Sequence, residues 1–168
     1  MSINIDKAAP CDAALILEYL KQVGGETDNL TFGSEGLPFS VEAEAEFLAG
    51  MENSCDNIML IAKDGDKIVG CVSLSRLPRR MKHRGDFAIS VAKECWNRGI
   101  GSRLLERIIT FAKDNAFEVI DLQVRSDNLR AIHVYEKYGF KKIGEHPAFF
   151  KMSNENISFD IMCLELSL

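Results

Sequence analysis

"CWNRGIGSRLLERI" (95–108) sets two glycines, Gly99 and Gly101, one residue apart at the head of an amphipathic run. Leu104, Leu105, Ile108 and Ala112 recur at helical spacing, with Arg103, Glu106, Arg107, Thr110 and Lys113 on the other face, so the pattern predicts a helix to about Asn115. Upstream, "GDFAISV" (85–91) reads as a strand. A strand that feeds a glycine turn into a helix stacks unpaired backbone N–H groups at the helix start. Those donors and the helix dipole favour negative charge, and glycine lets an anion approach the backbone closely. A pyrophosphate suits such a turn. Two common phosphate motifs are excluded: there is no G-x-x-x-x-G-K-[ST], and Leu104 stands where G-x-G-x-x-G needs its third glycine.

Around this turn the chain organises readily. "INIDKA" opens as a short strand, and "CDAALILEYLKQV" has a helical rhythm in Ala14, Ile16, Leu17 and Leu20 that Gly24 and Gly25 are expected to end. A loop over 26–38 leads to a second helix in "SVEAEAEFLAGM", with Ser40 as its N-cap. "NIMLIAK", the turn "DGD" and "KIVGCVSLSR" form a β-hairpin, with 85–91 as a third adjacent strand. "EVIDLQV" alternates with Ile120, Leu122 and Val124 on one face. The helix "NLRAIHVYEKY" ends at Gly139, the residue type suited to a left-handed C-terminal position, and residues 140–145 and "ISFDIMCLEL" supply the last strands. The expected fold is mixed α/β, a mainly antiparallel central sheet of about six to seven strands flanked by about four helices. At 168 residues the chain is expected to form a single domain over 1–168.

Composition narrows the function classes. No apolar run approaches the roughly 20 residues of a membrane span, and the start lacks a secretory pattern, so a cytoplasmic protein without a membrane partner is expected. Five cysteines, odd in number and never in C-x-x-C, argue against a disulfide framework or zinc site, and three scattered histidines give no metal-ligand spacing; no metal is expected. A net charge of -5 argues against nucleic acid as a partner. The charge is uneven: residues 22–62 contain no Lys or Arg but many acids, among them Glu26, Glu42, Glu44 and Glu46, whereas "RLPRRMKHR" (76–84) is basic. The ordinary reading of both is a solvated face and a solvated loop.

"CWNRGIGSRLL" followed by "DLQVRSDNLRAIHVYEKYGFKKIG" resembles the GNAT superfamily of N-acetyltransferases, over roughly residues 58–148. In that family R/Q-x-x-G-x-G/A binds the pyrophosphate of acetyl-coenzyme A, and a later helix carries an Asn followed seven residues on by a Tyr ahead of Gly-Phe. Gly99 and Gly101 match the first motif; Asn128, Tyr135, Gly139 and Phe140 match the second. Trp96 departs from it, standing where Arg or Gln is usual. The resemblance implies that Ile89, Ser90 and Val91 pair through their backbone with the pantetheine arm. It also implies that Arg98, Gly99, Ile100, Gly101 and Ser102 grip the diphosphate. Seven residues bring Asn128 and Tyr135 back to one helix face.

The implied chemistry is direct attack of a primary amine on the thioester of acetyl-coenzyme A, the cosubstrate, in a ternary complex. A lysine-like amine is less than ~0.1% neutral at pH 7 and an α-amine about 10%, so a base is needed. The position where relatives carry a strand Glu is Gly85 here, which leaves Glu26 first and Asp86 second as candidates. The main-chain N–H of Val91, by resemblance, serves the oxyanion. Tyr135 is the candidate acid for the leaving thiolate; phenol-to-thiolate transfer costs about 2 kcal/mol in water. Cys71 and Cys95 have no evident histidine partner for a thiol route. The acceptor is an amine on a small molecule, peptide or protein, and the acidic stretch favours a cationic one. The competing reading is a non-catalytic acyl-coenzyme A sensor or scaffold with the same fold. Edge strands near the C-terminus leave a homodimer open.

Overall fold

The computed structural model describes residues 3–166, among which there are seven strands and four α-helices. Strand β1 (Ile3–Lys7) leads to α1 (Ala13–Glu26) and α2 (Val41–Met51). Strands β2 (Asn57–Asp64), β3 (Lys67–Arg76) and β4 (Arg84–Val91) precede α3 (Ile100–Asp114). Strand β5 (Val119–Arg125), helix α4 (Leu129–Lys137) and the pair β6 (Lys141–Met152) and β7 (Glu155–Glu165) complete the chain. The sheet order is β1-β2-β3-β4-β5-β7-β6. Strands β4 and β5 run parallel, while β1–β2, β2–β3, β5–β7 and β6–β7 are antiparallel. A parallel step needs a crossover, and α3 supplies it. This is the mixed, mainly antiparallel sheet that the sequence predicts. No helix among the described residues is long and apolar enough to cross a membrane.

The chain divides into two compact units. The first runs to Ser75 and resumes over Ile89–Phe111; the second comprises Arg76–Ala88 and the chain from Ala112 onward.

In the first unit β2 and β3 form near-continuous buried runs, Ile58, Leu60, Ile61 and Ala62 facing Ile68, Val69, Cys71, Val72 and Leu74, because both of their faces are covered. On one face Ile61, Ile68 and Cys71 cluster with Ala13, Ile16, Tyr19 and Val23 of α1 and Leu48 of α2. On the other, Gly70 lets α3 lie close to β3: a Cβ there would meet Leu104 at 3.0 Å and Ile100 at 3.2 Å. Arg103 and Arg107 on the polar face of α3 donate to the carbonyls of Ile3 and Ile5.

Two expectations fail in this unit. Helix α1 does not stop at Gly24 and Gly25 but continues to Glu26. The glycine is needed for approach rather than termination, since a Cβ on Gly24 would stand 2.0 Å from the carbonyl oxygen of Gly33 in the returning loop. Ser40 caps α2 as expected, accepting from the amide of Ala43 at 3.1 Å. The acids of α2, however, are not all solvated. Glu44 is 5% exposed, on the inward stripe with Leu48 and Met51.

In the second unit Ile120, Leu122 and Val124 of β5 are buried on one face as the alternation requires, and Gly139 ends α4 with φ +93. Strand β6 extends well past residue 145 and pairs with β7 through Met152–Glu155. Pro147 and Ala148, the latter at φ +51, interrupt the alternation, and the register shift between His146 and Phe150 absorbs them as an irregularity. The basic run is only partly a free loop. The Arg76 guanidinium lies 3.8 Å above the Phe117 ring and donates to the carbonyl of Asn115, while Arg84 makes a two-point pair with Asp121.

Candidate active site

The first unit holds the glycine turn. Strand β4 ends at Val91, a short 3-10 turn spans Lys93–Cys95, and α3 begins at Ile100, so Ile100, Gly101 and Ser102 form its first turn. The first intrahelical bond runs from the Arg103 amide to the Gly99 carbonyl, which leaves the preceding amides as the unpaired donors every helix start carries. Gly99 sits at φ +74 with nothing within 4 Å of the place a Cβ would take, and a Cβ on Gly101 would only touch Val91. The bare backbone faces open space there, so the residues present fit a diphosphate. Arg98 is turned elsewhere, toward Cys95 Sγ at 3.3 Å and Asp64 at 3.9 Å.

Three contacts hold this segment in place. The indole Nε1 of Trp96 donates to the Val91 carbonyl at 2.8 Å. Glu26, at the end of α1, accepts from the Lys93 amide at 2.7 Å with one oxygen and from Gln22 Nε2 at 2.7 Å with the other. Ser90 and Tyr19 share a hydrogen bond of 3.0 Å between their hydroxyls. Sequence reasoning did not find these roles for Trp96 and Tyr19. For Trp96 the signal was its departure from the usual residue; for Tyr19 it was a hydroxyl on the inward stripe of α1. The β4–β5 register covers Arg84, Gly85 and Asp86, and Ile89, Ser90 and Val91 lie beyond it.

The second unit holds the other candidates. Tyr135 is buried in α4, its ring edge-on to Phe87 at 6.1 Å and tilted against Phe140 at 5.8 Å. Burial pushes its phenol pKa above the ordinary value, so it stays protonated. Asn128 is the N-cap of α4, its side-chain oxygen accepting from the Ala131 amide at 3.4 Å. Asp86 is paired in register with Asp121. Asp86 is exposed on β4, and partial desolvation, with the Asp121 charge added, raises its carboxyl above the ordinary aspartate value. Among the described residues no group of three His, Cys, Asp or Glu side chains could hold a metal ion.

The sequence profile of the acetyltransferase (GNAT) family matches residues 27–140. This chain belongs to the GNAT acetyltransferase family. Its architecture is that of solved GNAT proteins: over 98% of this chain and 100% of the other it superposes on a GNAT-family acetyltransferase from Streptococcus pneumoniae with a TM-score of 0.94 and 30% identity. The fold is shared with yncA, a putative acetyltransferase from Salmonella typhimurium solved with acetyl-CoA, at TM-score 0.85 and 17% identity over 99% and 95% of the two chains. Among curated proteins, the N-alpha-acetyltransferase RimI of Mycobacterium tuberculosis is 33% identical over 93 residues. That match takes in 55% of this chain and 57% of RimI, so the chain spans little more than half of that relative's length. GNAT relatives are named N-acetyltransferases, and the family uses acetyl-coenzyme A as cosubstrate.

Proposed function

We propose that this chain, acting as one acetyltransferase domain, transfers the acetyl group of acetyl-coenzyme A to a primary amine of a small molecule, peptide or protein. The observation that carries the reading is the turn at Gly99, with its bare backbone and open space, in a chain of this family. The amides of residues 98–102 hold the diphosphate, and the backbone of Ile89, Ser90 and Val91, beyond the β4–β5 register, receives the pantetheine arm as an added strand. Trp96, at the position where relatives usually carry Arg or Gln, does its work on the protein side by donating to the Val91 carbonyl. Asn128 caps the start of α4, and its assignment to coenzyme binding rests on the family motif. A cytoplasmic setting accords with the cysteines, all of them free thiols.

The bond between amine nitrogen and acyl carbon forms as the carbon–sulfur bond breaks. The Val91 N–H supports the charge on the acyl oxygen, and Tyr135 gives its proton to the departing sulfur. Attack by the amine itself is favoured over a thiol route through Cys71, whose thiol burial pushes up to about 12. For the base we reverse the order reached from sequence. Both oxygens of Glu26 already accept protein hydrogen bonds, which suits a residue that positions the loop. The raised pKa of Asp86 makes its carboxylate a better proton acceptor than an ordinary aspartate.

Incubation with acetyl-coenzyme A and a library of amines and peptides, read by mass spectrometry and thioester consumption, should give acetylated amine. A saturable coenzyme site with no turnover on any amine would instead identify a sensor module. A base must be ionised, so kcat/KM should fall as pH drops through the Asp86 pKa, which lies above that of an ordinary aspartate. Asp86→Asn should abolish this acid-side inflection, and Glu26→Gln should keep it. An inflection that survives Asp86→Asn removes Asp86 from the role.

A further inference from the structure

We propose that Glu44 anchors a second cationic group of the acceptor, an ammonium or guanidinium other than the amine that reacts. This rests on the acetyl-transfer reading above and adds to it the charge of the substrate. Three acidic side chains are buried among the described residues: Asp12, Glu44 and Asp160. Two of them are neutralised within the fold. Asp12 pairs with Lys63 at 2.6 Å and accepts the Ala9 amide, and Asp160 pairs with Lys142 at 2.8 Å and accepts the Ser126 hydroxyl at 2.6 Å. Among the described residues Glu44 has no such partner, and its burial pushes its pKa up. Burial without a cation disfavours the ionised form of a carboxyl, and a cation brought by a ligand favours it.

The position of Glu44 sharpens the contrast. It shares an inward stripe at i, i+4 and i+7 with Leu48 and Met51, where packing alone calls for an apolar side chain. Yet no buried side-chain oxygen or nitrogen among the described residues lacks a hydrogen-bond partner. The unpartnered carboxylate oxygens of Glu44 therefore reach solvent, and a small cation can meet them. No lysine or arginine occurs between residues 22 and 62 to fill this place. Leu48, one turn on from Glu44 along α2, packs in the cluster that contains Cys71. Cys71 belongs to the cluster that contains Tyr19 and Ala92; Ala92 directly follows Val91, and Tyr19 is bonded to Ser90. The carboxylate thus belongs to the α1–α2 side of the strand end assigned to the pantetheine. The reacting nitrogen must be neutral when it attacks, so the partner of a standing carboxylate is a different cation.

Two probes that differ by one ammonium test this, 1,5-diaminopentane and n-pentylamine. The wild-type KM for the diamine should be at least tenfold lower, and Glu44→Gln should bring the ratio near one. In parallel, 1,5-diaminopentane should raise the melting temperature of the wild-type chain and not that of Glu44→Gln, a readout that needs no turnover. Glu44→Gln should melt no lower than wild type in buffer, because it removes an unpaired buried acid. If neither amine is acetylated, the acetyl-transfer reading loses ground for these acceptors, while the diamine shift still decides the Glu44 site. A KM ratio or a diamine shift that is the same in both proteins, or no shift in the wild type, overturns the proposal.

Discussion

Tyr135→Phe is expected to lower turnover at least tenfold while leaving acetyl-coenzyme A affinity nearly intact. Tenfold is about 1.4 kcal/mol of barrier, a modest demand on one proton donor. The substitution removes only the hydroxyl. The ring contacts with Phe87 and Phe140 survive, so the packing of α4 is kept and loss of rate is not loss of fold. Burial holds the phenol protonated throughout the working pH range. The donor is therefore always loaded, and no limb of the pH–rate profile should belong to it below the ordinary phenol range. Steady-state kinetics on thioester release gives the turnover, and calorimetry gives the affinity. Unchanged turnover would remove Tyr135 from the mechanism.

Gly24→Ala should be the most destabilising single methyl addition among the residues that support the site. Alanine is favoured over glycine in a helix by up to about 1 kcal/mol, and α1 is helical through Gly24. Here the gain is overrun, because the new Cβ would lie 2.0 Å from the Gly33 carbonyl oxygen, 2.7 Å from its carbon and 3.0 Å from the Phe32 ring. A backbone oxygen cannot rotate aside as a flexible side chain would, so helix or loop must move. A cost of about 3 kcal/mol is reasonable for overpacking of this kind. For a chain of this size it lowers Tm by roughly 6–12 °C. Gly25→Ala is the internal control: its Cβ would meet only Ser34, at an ordinary 3.4 Å. That variant should melt at or above the wild type. Equal melting of the two variants would refute the close approach. Glu26, two residues beyond Gly24, holds the Lys93 amide, so the shift of α1 should also raise the KM for acetyl-coenzyme A.

Much of this could be read before any coordinates, and what could be read was local. The α3 stripe of Leu104, Leu105, Ile108 and Ala112, the Ser40 cap, the alternation of β5 and the C-terminal Gly139 depend on residues within one or two turns of each other. The glycine turn is legible for the same reason, since its open backbone follows from Gly99 and from the start of α3. The candidate site was legible where a motif carries it and not where a partner comes from far along the chain. Glu26 looked like a free carboxylate and meets the Lys93 amide; Trp96 looked like a lost cation and ties down Val91.

By itself, the sequence of this GNAT protein determined the order of its helices and strands, the face that α3 buries and the turn at Gly99, because periodicity and backbone preference act over a few residues. Only the tertiary structure decided that Gly24 is there to admit the Gly33 backbone, that Asp12 and Asp160 own lysines and that Glu44 does not. Close approach and charge pairing join residues far apart in the chain, and spacing along one helix does not report what lies across from it.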